Sequence, residues 1–250
     1  MYIKRKDKNL KITINSITGF EDAFVAMYIS KRTWTPELDR EIRNVCNSVL
    51  DRNGRMIANC DSNDLKRFNN WISMLLRMGK KHITLLRYLT ISIMTEGIHR
   101  AGQDDIDSHV KRFENKIIRS STRLATFNDN EMSDWYKGKI LTDGQVAKIL
   151  GYNFPETLEY MGNIYYKTTN GYVREEYKNN KDVKRGLYML SIPSNFISEI
   201  SLCEFGHVFK ERNRDSNANP EVKEWAEAVC SEIGNFHSQI TRDYILSIEN

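Results

Sequence analysis

The sequence predicts an α+β fold, and three observations carry that expectation. Segments of helical and of strand periodicity are interspersed without the regular strand-helix alternation that builds a parallel sheet. Two of the helical segments open on capping signals, Thr35-Pro36 and Asn219-Pro220-Glu221. Hydrophobic residues make up 40% and charged residues 28% of the 250-residue chain, an ordinary globular balance at a length that buries a sizeable core.

Taken in order, Leu10 to Asn15 alternates and predicts a strand. Phe20 to Lys31 and Pro36 to Leu50 predict helices, the second with Thr35 as cap and Pro36 at the first helical position. Leu65, Phe68, Trp71, Ile72, Leu75 and Leu76 recur at helical spacing up to a stop near Gly79. Leu85 to Met94 is apolar and β-branched and predicts a buried strand. Gly97 to Arg112 predicts a helix. Residues 128–180 are rich in Tyr, Asn, Lys and Gly. Within them, Ile164 to Lys167 and Tyr172 to Arg174 flank Thr168-Thr169-Asn170-Gly171 and predict a hairpin. This stretch reads as an insertion or lid within one domain spanning 1–250. A last long helix is expected from Pro220 toward Ile245, with Val222, Trp225, Ala226, Val229, Ile233, Phe236 and Ile240 as its core-facing stripe.

The net charge of +4 suits an anionic small ligand and is weak support for nucleic acid. No apolar stretch approaches the roughly 20 residues of a membrane span, and no membrane association is expected. The basic N-terminus, Met1-Tyr2-Ile3-Lys4-Arg5-Lys6, lacks the apolar core of a secretory signal. Four scattered cysteines without a C-x-x-C pair read as reduced thiols rather than a zinc site or a disulfide framework, and no metal is expected. The expected location is the cytoplasm.

Two stretches carry chemistry. One runs from Arg185 to Ala226 and places Lys210, Arg212 and Arg214 just before the helix start at Asn219-Pro220-Glu221, a layout suited to an anion. Within it, Glu204-Phe205-Gly206-His207, Arg212 and Ala218-Asn219-Pro220-Glu221-Val222-Lys223 follow one another. The other holds His82-Ile83-Thr84, Gly97-Ile98-His99-Arg100-Ala101, His109 and Ser121-Thr122-Arg123-Leu124. A weaker echo is Ala26-Met27-Tyr28-Ile29-Ser30. In this order the chain resembles the flavin-dependent thymidylate synthases, over most of its length apart from the 128–180 segment.

The resemblance implies an α+β domain with a twisted mixed sheet and flanking helices, assembled as a homotetramer with shared active sites. It implies FAD as cofactor, NADPH and methylenetetrahydrofolate as co-substrates, and a pyrimidine deoxynucleotide monophosphate as acceptor at C5. Carried over residue by residue, Ser30, His82, Thr84, His109 and Ser201 would line the flavin. Ser121, Arg123, Arg185 and Arg212 would hold the nucleotide, a role that suits the guanidinium fork. No enzyme nucleophile is implied, and Ser121 reads as a ligand contact.

Several positions depart from the family pattern. Ser108-His109-Val110 stands where the family has Arg-His-Arg. Arg87 stands where it has Glu, and Ser201 and Cys203 where it has Asn and Arg. Lys111, Arg112 and Arg119 lie close in sequence and could compensate. The departures keep open a nucleotide- or flavin-binding homologue without turnover. A further alternative, a helix-turn-helix DNA reader, rests on Leu141 to Tyr152, but no basic recognition helix is evident after it.

Overall fold

The structure, a computed structural model, describes residues 10–109, 116–119, 136–180, 183, 184, 187, 193–214 and 218–246. Four strands form the central sheet: β1 (Lys11–Thr18), β2 (Thr90–His99), β3 (Lys116–Arg119) and a later strand, β8 (Pro193–Ser201). Their order is β1-β2-β8-β3. All three ladders are antiparallel, where a mixed sheet was expected.

Alternation sets the two faces. Ile12, Ile14 and Ile17 of β1, Ile91 and Ile93 of β2, and Phe196 and Ile200 of β8 are buried. They share one core with α1 (Phe20–Ser30), α2 (Pro36–Val49), α3 (Ser62–Gly79) and two C-terminal helices introduced below. Each fully buried large apolar side chain contributes about 1.5–3 kcal/mol. Helix α2 begins as the sequence demands: the Thr35 hydroxyl accepts from Leu38 N–H at 3.2 Å, with Pro36 following. Helix α3 is capped by Asp61, whose carboxylate accepts from the amides of Asn63 and Asp64.

The expected strand from Leu85 is corrected. Ile83–Arg87 is a 3-10 turn, and β2 starts only at Thr90. Leu85, Leu86 and Leu89 are spaced for a helical turn and are all buried. A Cβ on Gly79 would stand 2.5 Å from Leu86 Cγ, so the end of α3 and this turn close on each other only because residue 79 is glycine. The helix expected from Gly97 starts later: α4 is described over Arg100–His109, and residues 110–112 of the expected helix lie outside the described residues. Strand β2 continues through an irregularity between Thr95 and Ile98, with Gly97 at φ +77°.

A second antiparallel sheet lies within residues 136–180. It comprises β4 (Ile140–Thr142), β5 (Thr157–Tyr160), β6 (Asn163–Thr168) and β7 (Gly171–Arg174), in the order β4-β7-β6-β5. The expected 164–174 hairpin is β6–β7. Helix α5 (Asp143–Leu150) opens on a capping box between Thr142 and Gln145. Strand β5 follows it, not a second helix, so the pair of helices a helix-turn-helix reader needs is absent there.

After β8 come α6 (Leu202–Arg214) and α7 (Pro220–Phe236). The expected stripe on α7 is buried throughout, but the helix stops at Phe236 rather than running to Ile245. His237 takes φ −148° and turns its ring against Phe20 and Phe68. Its Nε2 donates to the Gly54 carbonyl at 2.7 Å. A short helix and a π turn (Thr241–Ile245) complete the described chain. None of the four cysteines is joined in a disulfide. Among the described residues, no helix is long and apolar enough to cross a membrane, and no group of His, Cys, Asp and Glu could hold a metal.

Candidate functional site

The face of the central sheet opposite this core carries two rows of mainly polar side chains. Register places Thr18, Thr90 and Ser201 in one cross-strand row. The next row is Ser16, Ser92, Glu199 and Lys116, and the one after it is Thr13, Met94, Ile197 and Ile118. The first two rows, with Arg87, line a groove of about 320 Å³. Successive rows on one face are two residues apart, roughly 7 Å. The third row therefore forms an apolar ledge beside the groove, with Ile118 73% and Ile197 41% exposed.

Three local features build this groove. Gly19, at φ +91°, ends β1 against the chain entering β2: a Cβ there would sit 1.9 Å from the Tyr88 carbonyl oxygen. The Leu202 amide donates to the Leu89 carbonyl at 2.8 Å, which pins the start of α6 beside the 3-10 turn. Ser201 caps α6, its hydroxyl accepting from Glu204 N–H at 3.2 Å. Among the groove's charged side chains, Lys116 and Glu199 pair with each other at 2.7 Å, and Arg87 also lines it.

Of the residues singled out in the sequence, Ser201 lies in the groove. His82 and Thr84 are exposed on the same short turn that ends in Arg87. Ser30 closes α1, and its hydroxyl donates to the Met27 carbonyl at 2.8 Å. Helix α1 starts beside the groove, so Ser30, ten residues on from Phe20, is about 15 Å away along the axis. Arg212 is equally remote from Ser201 along α6. It is turned inward, only 7% exposed, and its guanidinium meets Asp105 of α4 at 2.7 Å. Its Nε has no hydrogen-bond partner. His109 is the last residue of α4, and its side chain lies outside the described part. Ser121, Arg123 and Arg185, and also Lys111 and Arg112, lie outside the described residues.

The start of α7 proves not to be an open anion site. Glu221 occupies it, 1% exposed, with its amide donating to the Asn219 side chain at 3.1 Å. The Glu221 carboxylate accepts from the His99 amide at 3.1 Å and pairs with His99 Nδ1. The Gly102 amide donates to His99 Nε2 at 3.0 Å, which places the ring proton on Nδ1, facing Glu221. The Tyr136 hydroxyl completes the set, 2.5 Å from Nε2. This cluster ties β2, α4 and α7 to the residue that leads into the second sheet. Elsewhere, burial and then the nearby Glu21 charge push the Cys46 thiol up to about 12, which removes it as a thiolate nucleophile.

Ser16, Thr18, Arg87, Thr90, Ser92, Lys116 and Glu199 were not singled out as site residues from the sequence. A signal was present: Ser or Thr alternates with Ile in Ser16-Ile17-Thr18 and in Thr90-Ile91-Ser92-Ile93, which marks one polar and one buried face. Nothing local says which strands line up.

No family model and no curated protein matches the chain. Solved structures do. The chain is similar to thymidylate synthase X (ThyX) of Helicobacter pylori, solved with FAD and dUMP, at 12% identity and TM-score 0.49, over 94% of this chain and 99% of that one. A second structure, flavin-dependent thymidylate synthase ThyX from the same organism complexed with FAD and dUMP, gives 12% and 0.49 over 93% and 98%. The UMP/dUMP methylase PolB of Streptomyces cacaoi, bound with 5-Br dUMP, gives 10% and 0.49 over 96% and 95%.

Proposed function

We propose that this chain is a flavin-dependent enzyme of the thymidylate synthase type, modifying C5 of a pyrimidine deoxynucleotide monophosphate. The observation that carries the reading is the ordered set of motifs from Ala26 through Lys223, whose member Ser201 lines a polar groove on the sheet face opposite the core. Rows of hydroxyls can donate and accept, and a guanidinium beside them suits a phosphorylated polyol, so the groove fits part of FAD. When bound, FAD supplies the hydride and methylenetetrahydrofolate the one-carbon unit, with NADPH as reductant. The chain's own part is to bind and orient. Ser30, His82, Thr84, His109 and Ser201 hold the flavin in this reading. Ser121, Arg123, Arg185 and Arg212 hold the nucleotide, with the unpaired Nε of Arg212 as one remaining donor. Because Ser30 and Arg212 stand far from the groove of their own protomer, a complete site calls on neighbouring copies, in keeping with a homotetramer. We read 128–180 as an insertion that Tyr136 anchors.

The test is tritium release from dUMP labelled at C5, which any substitution at that carbon requires. Release that depends on FAD, NADPH and methylenetetrahydrofolate supports the reading. The departures at Ser108 and Val110 favour a second reading, a flavin- and nucleotide-binding homologue without turnover. Binding of both ligands with no tritium release would select it.

A further inference from the structure

We propose that the basic end formed by α1 and α3 holds the carboxylate-bearing tail of the folate co-substrate, taken in its oligo-γ-glutamate form. The proposal rests on the folate-dependent reading above and gives a place to the part of folate that does not react. No acidic residue occurs between Asp22 and Glu37 or between Asp64 and Glu96, and these two stretches carry Lys31, Arg32, Arg77, Lys80 and Lys81. All five are exposed, and among the described residues none is in an ion pair. Trp71 Nε1–H donates to the Tyr28 hydroxyl at 3.0 Å, and Lys31 Nζ reaches Met74 Sδ at 2.9 Å, so the end of α1 lies against the last turns of α3. Arg77 is one turn beyond Met74. The amides of Lys81 and His82 both donate to the Met78 carbonyl, at 3.0 and 2.9 Å, which keeps Lys80 and Lys81 over that end. Met74 to Lys81 spans about 10 Å along the axis. Asp243, which packs at Ser73 of α3, is taken by Arg242 at 2.8 Å.

Helix dipoles account for a cation or two at each C-terminus. They do not account for the large apolar side chains exposed among these cations: Ile29 is 56%, Ile83 52% and Trp34 43% exposed. Ile29 precedes Ser30, and Ile83 stands between His82 and Thr84, so both adjoin residues given to the flavin. Folate has the matching halves. Its p-aminobenzoyl ring is apolar, and its tail is a string of carboxylates, one more for each added glutamate. A folate whose ring lies against Ile29 and Ile83, beside the flavin, would run its tail over Lys31, Arg77, Lys80 and Lys81. Each contact is a solvent-exposed ion pair, weak alone and cumulative along one tethered chain of like charges.

Calorimetry on the full chain, with and without saturating FAD, tests this with folic acid and its pentaglutamate. The pentaglutamate should bind about 10-fold more tightly or better at low salt, and high salt should shrink the ratio. The double variant Lys80→Gln/Lys81→Gln should cut that ratio by about 2- to 30-fold, the range of two exposed ion pairs. It should leave folic acid binding nearly unchanged. Both side chains are exposed, so the variant should melt like the parent protein. No binding of the pentaglutamate, or an unchanged ratio in the variant, overturns the proposal. Equal binding of the two folates overturns it and leaves folate use standing. A preference that vanishes when FAD is present gives these cations to the flavin diphosphate and overturns it too. So does equal binding of an oligothymidylate of matched charge, which would make the face a general polyanion surface. A preference that depends on Lys80 and Lys81 in a chain that binds no FAD upholds the tail site and sinks the flavin reading.

Discussion

Glu221→Ala should be among the most damaging single substitutions outside the apolar core. Glu221 and His99 are 1% and 0% exposed. The carboxylate takes the His99 amide at 3.1 Å and faces the ring Nδ1, so alanine strands two buried donors. Each costs about 1–3 kcal/mol, and breaking a buried pair by deleting one partner typically costs about 3–5 kcal/mol. Against a total stability of about 5–15 kcal/mol, that is a large share. Glu221→Gln should cost less, about 1–3 kcal/mol, because its carbonyl oxygen can still accept from the His99 amide. Its NH2 group then opposes Nδ1–H. The ring cannot change tautomer without losing the Gly102 contact at 3.0 Å. Tyr136→Phe is the control. It removes one hydroxyl while Gly102 stays on Nε2, so about 1 kcal/mol is expected. Urea unfolding followed by Trp fluorescence reads all three. Equal losses for alanine and glutamine, or an alanine loss under about 1 kcal/mol, would refute the cluster as described.

Other outcomes follow from single residues. Gly54→Ala should destabilise by at least about 1–3 kcal/mol, measured by chemical unfolding, because φ is +78° and the new Cβ would meet the Ile17 carbonyl oxygen at 1.7 Å. Met161→Asn should stabilise by about 0.5–1 kcal/mol in the same assay: Met161 (φ +49°) and Gly162 (φ +72°) form the two-residue turn between β5 and β6, where asparagine is the better residue. His237 is buried between two aromatic rings, and burial lowers its pKa against the smaller opposing effect of the Gly54 carbonyl. The unfolded chain then binds a proton more readily than the native one. Stability should fall as pH drops below about 6.5, by at most about 1.4 kcal/mol per pH unit from this group. His237→Gln should remove that component, and a variant with an unchanged pH profile would contradict the assignment.

Much of the fold was legible where local chemistry decides it. Thr35-Pro36 and Asn219-Pro220 start their helices in the structure as in the sequence, and the apolar spacing of α3 and α7 marks their buried faces. Legibility failed where distant contacts decide. The Leu85-Leu86 pair packs on glycine at the end of α3, which turns an apparent strand into a 3-10 turn. The break after Phe236 depends on Gly54, a residue 183 positions from His237. The buried cluster joins His99 to Glu221 across 122 positions. The same holds for the site. Ser201 was singled out through a motif, whereas the hydroxyl rows became a groove only once β1, β2, β3 and β8 were in register. Arg212 was expected to hold the nucleotide, and its pairing with Asp105, 107 positions away, has no local signal in the sequence.

The central claim is that this chain holds FAD without any G-x-G-x-x-G fingerprint. Titrating the purified protein with FAD, and following quenching of flavin fluorescence, tests it most directly. The account predicts saturable quenching, and a further spectral change when dUMP is added. Flavin emission that stays unchanged at every protein concentration, with or without dUMP, would contradict it.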